Sequence, residues 1–110
     1  MELSEIYTRL KRLNIPTAYL RFSKPQNLPF QVYYEAGGEV TGADTYNLFR
    51  RVNINIELYS EKKDITLERA VEAQFRDVPL EKQSDIYLEE EDMHMVLYSF
   101  ETIQKIQDDV

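Results

Sequence analysis

The chain has no cysteine, so it can build neither a disulfide framework nor a thiolate metal site. It has a single histidine, His94. A general base needs a nucleophile to serve and a group to orient it. Without a thiol the nucleophile candidates are scattered hydroxyls, and none lies in a nucleophile-elbow motif. A strand histidine at the surface is the simpler reading of His94. All three glycines fall between Gly37 and Gly42. None is left for the sharp turn of a calcium loop around the acidic run Glu89–Asp92, which reads as a solvated turn. No apolar run is long enough to span a bilayer, and the opening MELSEIYTRLKRL lacks the apolar core of a signal peptide. The expectation is a soluble protein made inside a cell, with no catalytic, metal or cofactor-binding residues and no membrane partner.

What is present fits one domain of 110 residues, long enough to bury roughly two-thirds of its unfolded surface. The net charge is −7, unevenly spread. Residues 1–24 hold five basic and two acidic side chains, and the remainder eight basic and eighteen acidic ones. An acidic majority argues against general nucleic-acid binding, which needs clustered Lys and Arg for phosphates. Ends of opposite sign can attract copies or neighbours to one another.

Periodicity gives the elements. Leu3, Ile6, Tyr7, Leu10 and Leu13 make a helical stripe, closed by Asn14 ahead of Ile15-Pro16. TAYLRF alternates as a strand, and SKPQNLP is a loop stiffened by Pro25 and Pro29. FQVYYE is a second strand, with Phe30, Val32 and Tyr34 on one face. Val52, Ile54, Ile56 and Leu58 alternate with Asn53, Asn55, Glu57 and Tyr59, the pattern of a half-buried strand. Asp64 is placed to cap a helix whose stripe is Leu67, Ala70, Val71, Phe75 and Val78, ended by Pro79. Two further strands flank the acidic turn, and the last is apolar on both faces, with Met93, Met95 and Leu97 opposite Val96, Tyr98 and Phe100. Such a strand is central in its sheet or meets a partner. The sequence therefore predicts an α+β fold of order α-β-β-β-α-β-β, an antiparallel-rich sheet of four to five strands with two helices packed on it.

Two features stand out as candidate contact surface. The segment 36–47, AGGEVTGADTYN, reads as a mobile hairpin loop; it carries Gly37, Gly38, Glu39, Val40, Thr41, Gly42, Asp44 and Tyr46. It lacks the Gly-Lys-Ser/Thr ending of a phosphate-binding loop. Tyrosine is abundant, and Tyr33, Tyr59 and Tyr98 sit on strands, where outward tyrosines give large contact area at low entropic cost.

A short helix ending before Ile15-Pro16-Thr17-Ala18-Tyr19, then PFQVYYEAGG, IELYSEKKD, LERAVEAQF and SDIYLEEEDMHMVLYSFE, together make a pattern covering roughly residues 3–103. It resembles the small tail-terminator or head–tail joining (tail completion) proteins of long-tailed bacteriophages and prophages of Gram-positive bacteria. The most specific pieces are Ile56-Glu57-Leu58-Tyr59 with Lys62-Lys63-Asp64, and Met95-Val96-Leu97-Tyr98 with Phe100-Glu101. The resemblance implies a ring, usually a hexamer, that caps the tail tube and docks it to the head connector. Its partners would be copies of itself and the tube and connector proteins, in the virion. DNA would only pass through its channel, without sequence-specific binding. Other readings stay open: a minor head or tail component, or an acidic nucleic-acid mimic that inhibits a host enzyme.

Overall fold

The alternation along residues 52–58 dictates a sheet with one covered face, and the computed structural model, which describes residues 1–41 and 49–105, builds it with five strands. The elements are α1 (Leu3–Lys11), β1 (Thr17–Tyr19), β2 (Phe30–Thr41), β3 (Phe49–Ser60), α2 (Ile65–Ala73), β4 (Glu81–Leu88) and β5 (Met93–Lys105). The spatial order is β1-β2-β3-β5-β4. All neighbours are antiparallel except β1 and β2, which run parallel. This is the expected α+β fold and element order.

The core lies on one face of the sheet. Val52, Ile54, Ile56 and Leu58 are buried, and the register sets Ile54 opposite Phe100, Ile56 opposite Tyr98 and Leu58 opposite Val96. Both helices add to this cluster: Ile6 and Leu10 from α1, Val71 from α2. Each such buried aliphatic side chain contributes about 1.5–3 kcal/mol. Asp64 caps α2 as its position suggests, its Oδ1 accepting from the Leu67 amide at 3.0 Å. The helix stops at Ala73, earlier than its apolar stripe implies, yet Phe75 and Val78 still reach the core from the turn that follows. Arg9 ties the two helices together. Its guanidinium donates to the Gln74 carbonyl at 2.9 Å and to both Asp77 oxygens, and it lies over the Phe75 ring.

Three sequence expectations are corrected. The first strand does not run to Phe22. It ends at Tyr19, because Leu20 takes a left-handed conformation (φ 68°) and gives its amide to the Tyr33 carbonyl. The glycine-bearing segment is not a loop from residue 36; β2 continues through Gly37, Gly38, Glu39 and Val40 to Thr41, paired with β3 throughout. The glycines serve strand geometry instead of a turn. Gly37 sits at φ 148° beside a bulge, and a Cβ on Gly38 would stand 2.1 Å from the Arg51 carbonyl oxygen. Gly42, Asp44 and Tyr46 lie outside the described residues. Finally, Tyr33 and Tyr98, expected on a contact surface, are buried in the core at 7% and 1% exposure.

Candidate assembly interface

Because successive strand residues face opposite ways, burying the even positions of β3 and β5 leaves a second face. It carries Phe30, Val32 and Tyr34 of β2, Glu57 and Tyr59 of β3, and Met93, Met95 and Leu97 of β5. Neither helix contributes to it. The loop from Leu20 to Gln26 and the turn from Leu88 to Met93 rise at one end of this face and enclose a cleft of about 570 Å³. Its walls are aromatic and aliphatic. Phe22 packs edge-on against Phe30, and Phe30 stacks on Tyr59, with centroids 5.5 and 5.0 Å apart.

A carboxylate sits among these apolar groups. Glu57 accepts hydrogen bonds from the Tyr34 hydroxyl and, at 2.5 Å, from the Tyr59 hydroxyl. Burial, reinforced by the Glu57 carboxylate, pushes both phenols above their ordinary pKa. Both therefore stay protonated and act on Glu57 as donors. Each carboxylate oxygen has room for more than one hydrogen bond, so a further donor entering the cleft finds an oriented acceptor.

At the opposite end of the same strands, β2, β3 and β5 run on together. Val40 faces Arg50, which in turn faces Gln104, and Thr41 faces Phe49, which faces Lys105. This end exposes apolar surface: Val40 is 66% exposed, and Phe49 and Ile103 are also open to solvent. Arg51 pairs with Glu101 at 3.4 Å and approaches Glu39 at 4.0 Å.

The third polar cluster is a charged corner between α2, β4 and β5. Glu68, whose side chain is only 4% exposed, accepts from Lys63 at 2.9 Å and Lys82 at 2.8 Å. Burial alone would raise its pKa, but the two lysines outweigh that and lower it. Asp85 takes a second bond from Lys63 and meets the Nε2 of His94. Hydrogen bonds from Lys63 and then His94 hold the Asp85 carboxyl below its usual range. This is a histidine with an orienting carboxylate, and no hydroxyl among the described residues hydrogen-bonds to it. Ser60, directly across the strands from His94, gives its hydroxyl to the Lys62 carbonyl at 2.7 Å. No group of acidic or histidine side chains among the described residues is arranged to hold a metal ion, and no described helix is long and apolar enough to cross a membrane.

The sequence-selected residues are thus scattered. Gly37, Gly38, Glu39, Val40 and Thr41 form the far end of β2. Tyr59 lies at the cleft, and Tyr33 and Tyr98 lie under the helices, where the Tyr98 hydroxyl donates to Glu72 at 2.6 Å. Sequence reasoning missed Glu57, Tyr34, Phe22 and Phe30. The available signal was Glu57 itself, the one acid among the alternating residues 52–59, with Tyr59 two positions on along the same strand face.

No family model matches the chain, and no curated protein matches it in sequence. A solved structure does match in fold: a chain from the virion of the native gene transfer agent particle is 14% identical, with a TM-score of 0.54 and 92% of each chain covered. At that identity the likeness establishes the shared α+β fold, over nearly the full length of both chains.

Proposed function

We propose that this chain is a non-catalytic structural subunit of a phage-like particle. Copies form a ring that caps the tail tube, docks it to the head connector and surrounds the DNA channel. The observation that carries this reading is the fold likeness to a gene transfer agent virion chain across 92% of both partners. Three further features support it. The sequence resembles tail-terminator and head–tail joining proteins. Among the described residues neither helix covers one face of the sheet, and the far end of its long strands exposes Val40, Phe49 and Ile103, surface that an assembly could bury. The net charge of −7 suits a channel wall, since negative walls repel phosphates and let DNA slide without sticking. In this role the scaffold is the function: it presents surfaces to its neighbours and needs no reacting group.

The test is location. Purified protein added to assembled tail tubes, and followed by electron microscopy with a gold-labelled tag, should decorate one end of each tube. Binding along the tube walls or to heads alone would refute the terminator role in favour of another virion component. Indifference to tubes, together with tight binding to a host DNA-binding enzyme, would replace the reading with nucleic-acid mimicry.

A further inference from the structure

We infer that the two open edges of the sheet form one interface between copies: the β4 edge of one chain receives the β1 edge of the next, so that the sheet runs on from subunit to subunit. The inference deepens the ring reading above and rests on it.

Topology sets the polarity. β1 and β4 are the outermost strands, and among the described residues each pairs on one side only. The outer side of such a strand presents unpaired amides and carbonyls, a template for another strand. β1 runs in the direction of β2 and β5 and opposite to β3 and β4. A copy set edge to edge, with the same face up, therefore meets β4 with an antiparallel β1, and its helices continue the same layer. Four strand spacings of about 4.8 Å separate the two edges of one chain, so this open sheet does not pair its own edges. A contact between two different patches of the same chain is heterologous, and it closes into a ring when the rotation allows.

Exposed side chains mark the same two edges. Among the described residues nine large apolar side chains are exposed, and five of them lie here: Tyr7, Tyr19 and Leu20 beside β1, Ile86 and Tyr87 on β4. Tyr7 and Tyr19 both lean on the buried Tyr33 ring, which sets them as one patch. The first half of β4 is blunted by its bulge between Lys82 and Ser84. From Asp85 to Leu88 it pairs regularly with β5, and the charges on it are neutralised within the chain, Lys82 by Glu68 and Asp85 by Lys63 and His94.

Charge selects the occupant. Residues 9–24, which lead into and out of β1, carry five basic side chains and no acid; residues 81–92, β4 and its turn, carry six acids and one lysine. Two β4 edges would bring like charge together, whereas β4 against β1 joins opposite charge. Part of this charge is used within the chain: Arg9 pairs with Asp77, and Arg21, Lys24 and Glu91 line one cleft. Left for a neighbour are Lys11 and Arg12 at the end of α1 and Glu89 and Glu90 in the turn, all exposed and without an ion pair among the described residues. These lie at matching heights on the two edges. The end of α1 leads into Thr17, level with Gln31 near the start of β2, and the turn follows Leu88, level with Met93 at the start of β5. β2 and β5 start at the same end of the sheet.

The test swaps these charges. One chain carries Lys11→Glu and Arg12→Glu, and a second carries Glu89→Lys and Glu90→Lys. Each alone should lose at least about tenfold in self-association. Mixed, they should regain it in oligomers whose two chains alternate, because each reversed edge then meets a reversed edge; native mass spectrometry reads the alternation. The absence of natural cysteine allows a second readout. Ala18 and Ile86 stand on the same face of the sheet at opposite edges, so a short bifunctional maleimide should link an Ala18→Cys chain to an Ile86→Cys chain. An Ile65→Cys chain, with its thiol at the start of α2, serves as control, and unchanged melting temperatures show that each variant folds. Closed oligomers from either charge variant alone, no recovery on mixing, or equal linking of Ile86→Cys to itself or to Ile65→Cys overturn the edge contact while leaving the ring reading intact. A wild-type protein that stays monomeric at millimolar concentration and on tail tubes sinks the ring reading, and the edge contact with it.

Discussion

Replacing Gly38 with alanine tests how the hairpin end is held. The added Cβ would lie 2.1 Å from the Arg51 carbonyl oxygen and 2.9 Å from the Val52 Cα. Both obstacles are backbone, so no flexible side chain can move aside. Overpacking of this kind costs about 1–3 kcal/mol when the surroundings hold. The alternative is for the strands to part. Beyond Gly38 the described residues form the Glu39–Arg51, Val40–Arg50 and Thr41–Phe49 pairs. Losing a few backbone hydrogen bonds there costs about 0.5–1.5 kcal/mol each. The two routes are of similar cost, so the hairpin end is expected to open locally while the core stays folded. Amide hydrogen exchange should show this as a drop in protection of about five- to a hundredfold at residues 50–52, with the buried centre of β3 unchanged. The melting temperature should fall by no more than roughly 4 °C per kcal/mol. Gly37→Ala is the contrasting case: nothing lies within 4 Å of its added Cβ, but its φ of 148° is costly for any L side chain, at about 1–3 kcal/mol. Wild-type exchange at Arg51 and Val52 in Gly38→Ala would refute the close strand approach.

Three other outcomes follow from the core and its charges. Ile56→Ala should destabilise by about 2–5 kcal/mol, measured by denaturant unfolding, since Ile56 is fully buried between Tyr33 and Tyr98. Gln31→Leu should change stability by less than about 1 kcal/mol. It removes two hydrogen bonds, from Nε2 to the Leu10 carbonyl and the Thr17 hydroxyl, but also a buried Oε1 that has no partner within the protein. Gln31→Ala, which adds a cavity, should lose more, about 2–4 kcal/mol. The Arg9 hydrogen bonds hold Asp77 down to about 2, and Glu68 is also lowered. A carboxyl depressed in the folded state stabilises it fully above the unfolded value near about 4. That stability is lost as pH falls through the folded value. Denaturation midpoints should therefore be flat above about pH 5 and decline toward about pH 2, with a shallower decline in Asp77→Asn.

How far the sequence reveals this molecule depends on whether a residue's partner is near it in the chain. The β3 alternation and the Asp64 cap are local and were legible. Gly37 and Gly38 looked like loop residues, since glycine signals a turn when nothing else is known; only the approach of β3 explains them. Tyr33 and Tyr98 were legible as strand residues but not as core, because burial depends on which face the helices cover. Gln31 and Glu68 are polar residues whose burial is set by partners far along the chain, Leu10 for one and Lys82 for the other. The cleft is the least legible feature, since it joins the Leu20–Gln26 loop, three strands and the Leu88–Met93 turn.

The proposed role requires that copies of this chain assemble with one another into a closed ring. Light scattering of the purified protein across a concentration series, alone and with tail tubes, tests it most directly. The account predicts a discrete closed oligomer, formed at high concentration or on tube ends, whose mass does not grow further once reached. A mass that stays at one subunit under both conditions, or that climbs without limit, would contradict it.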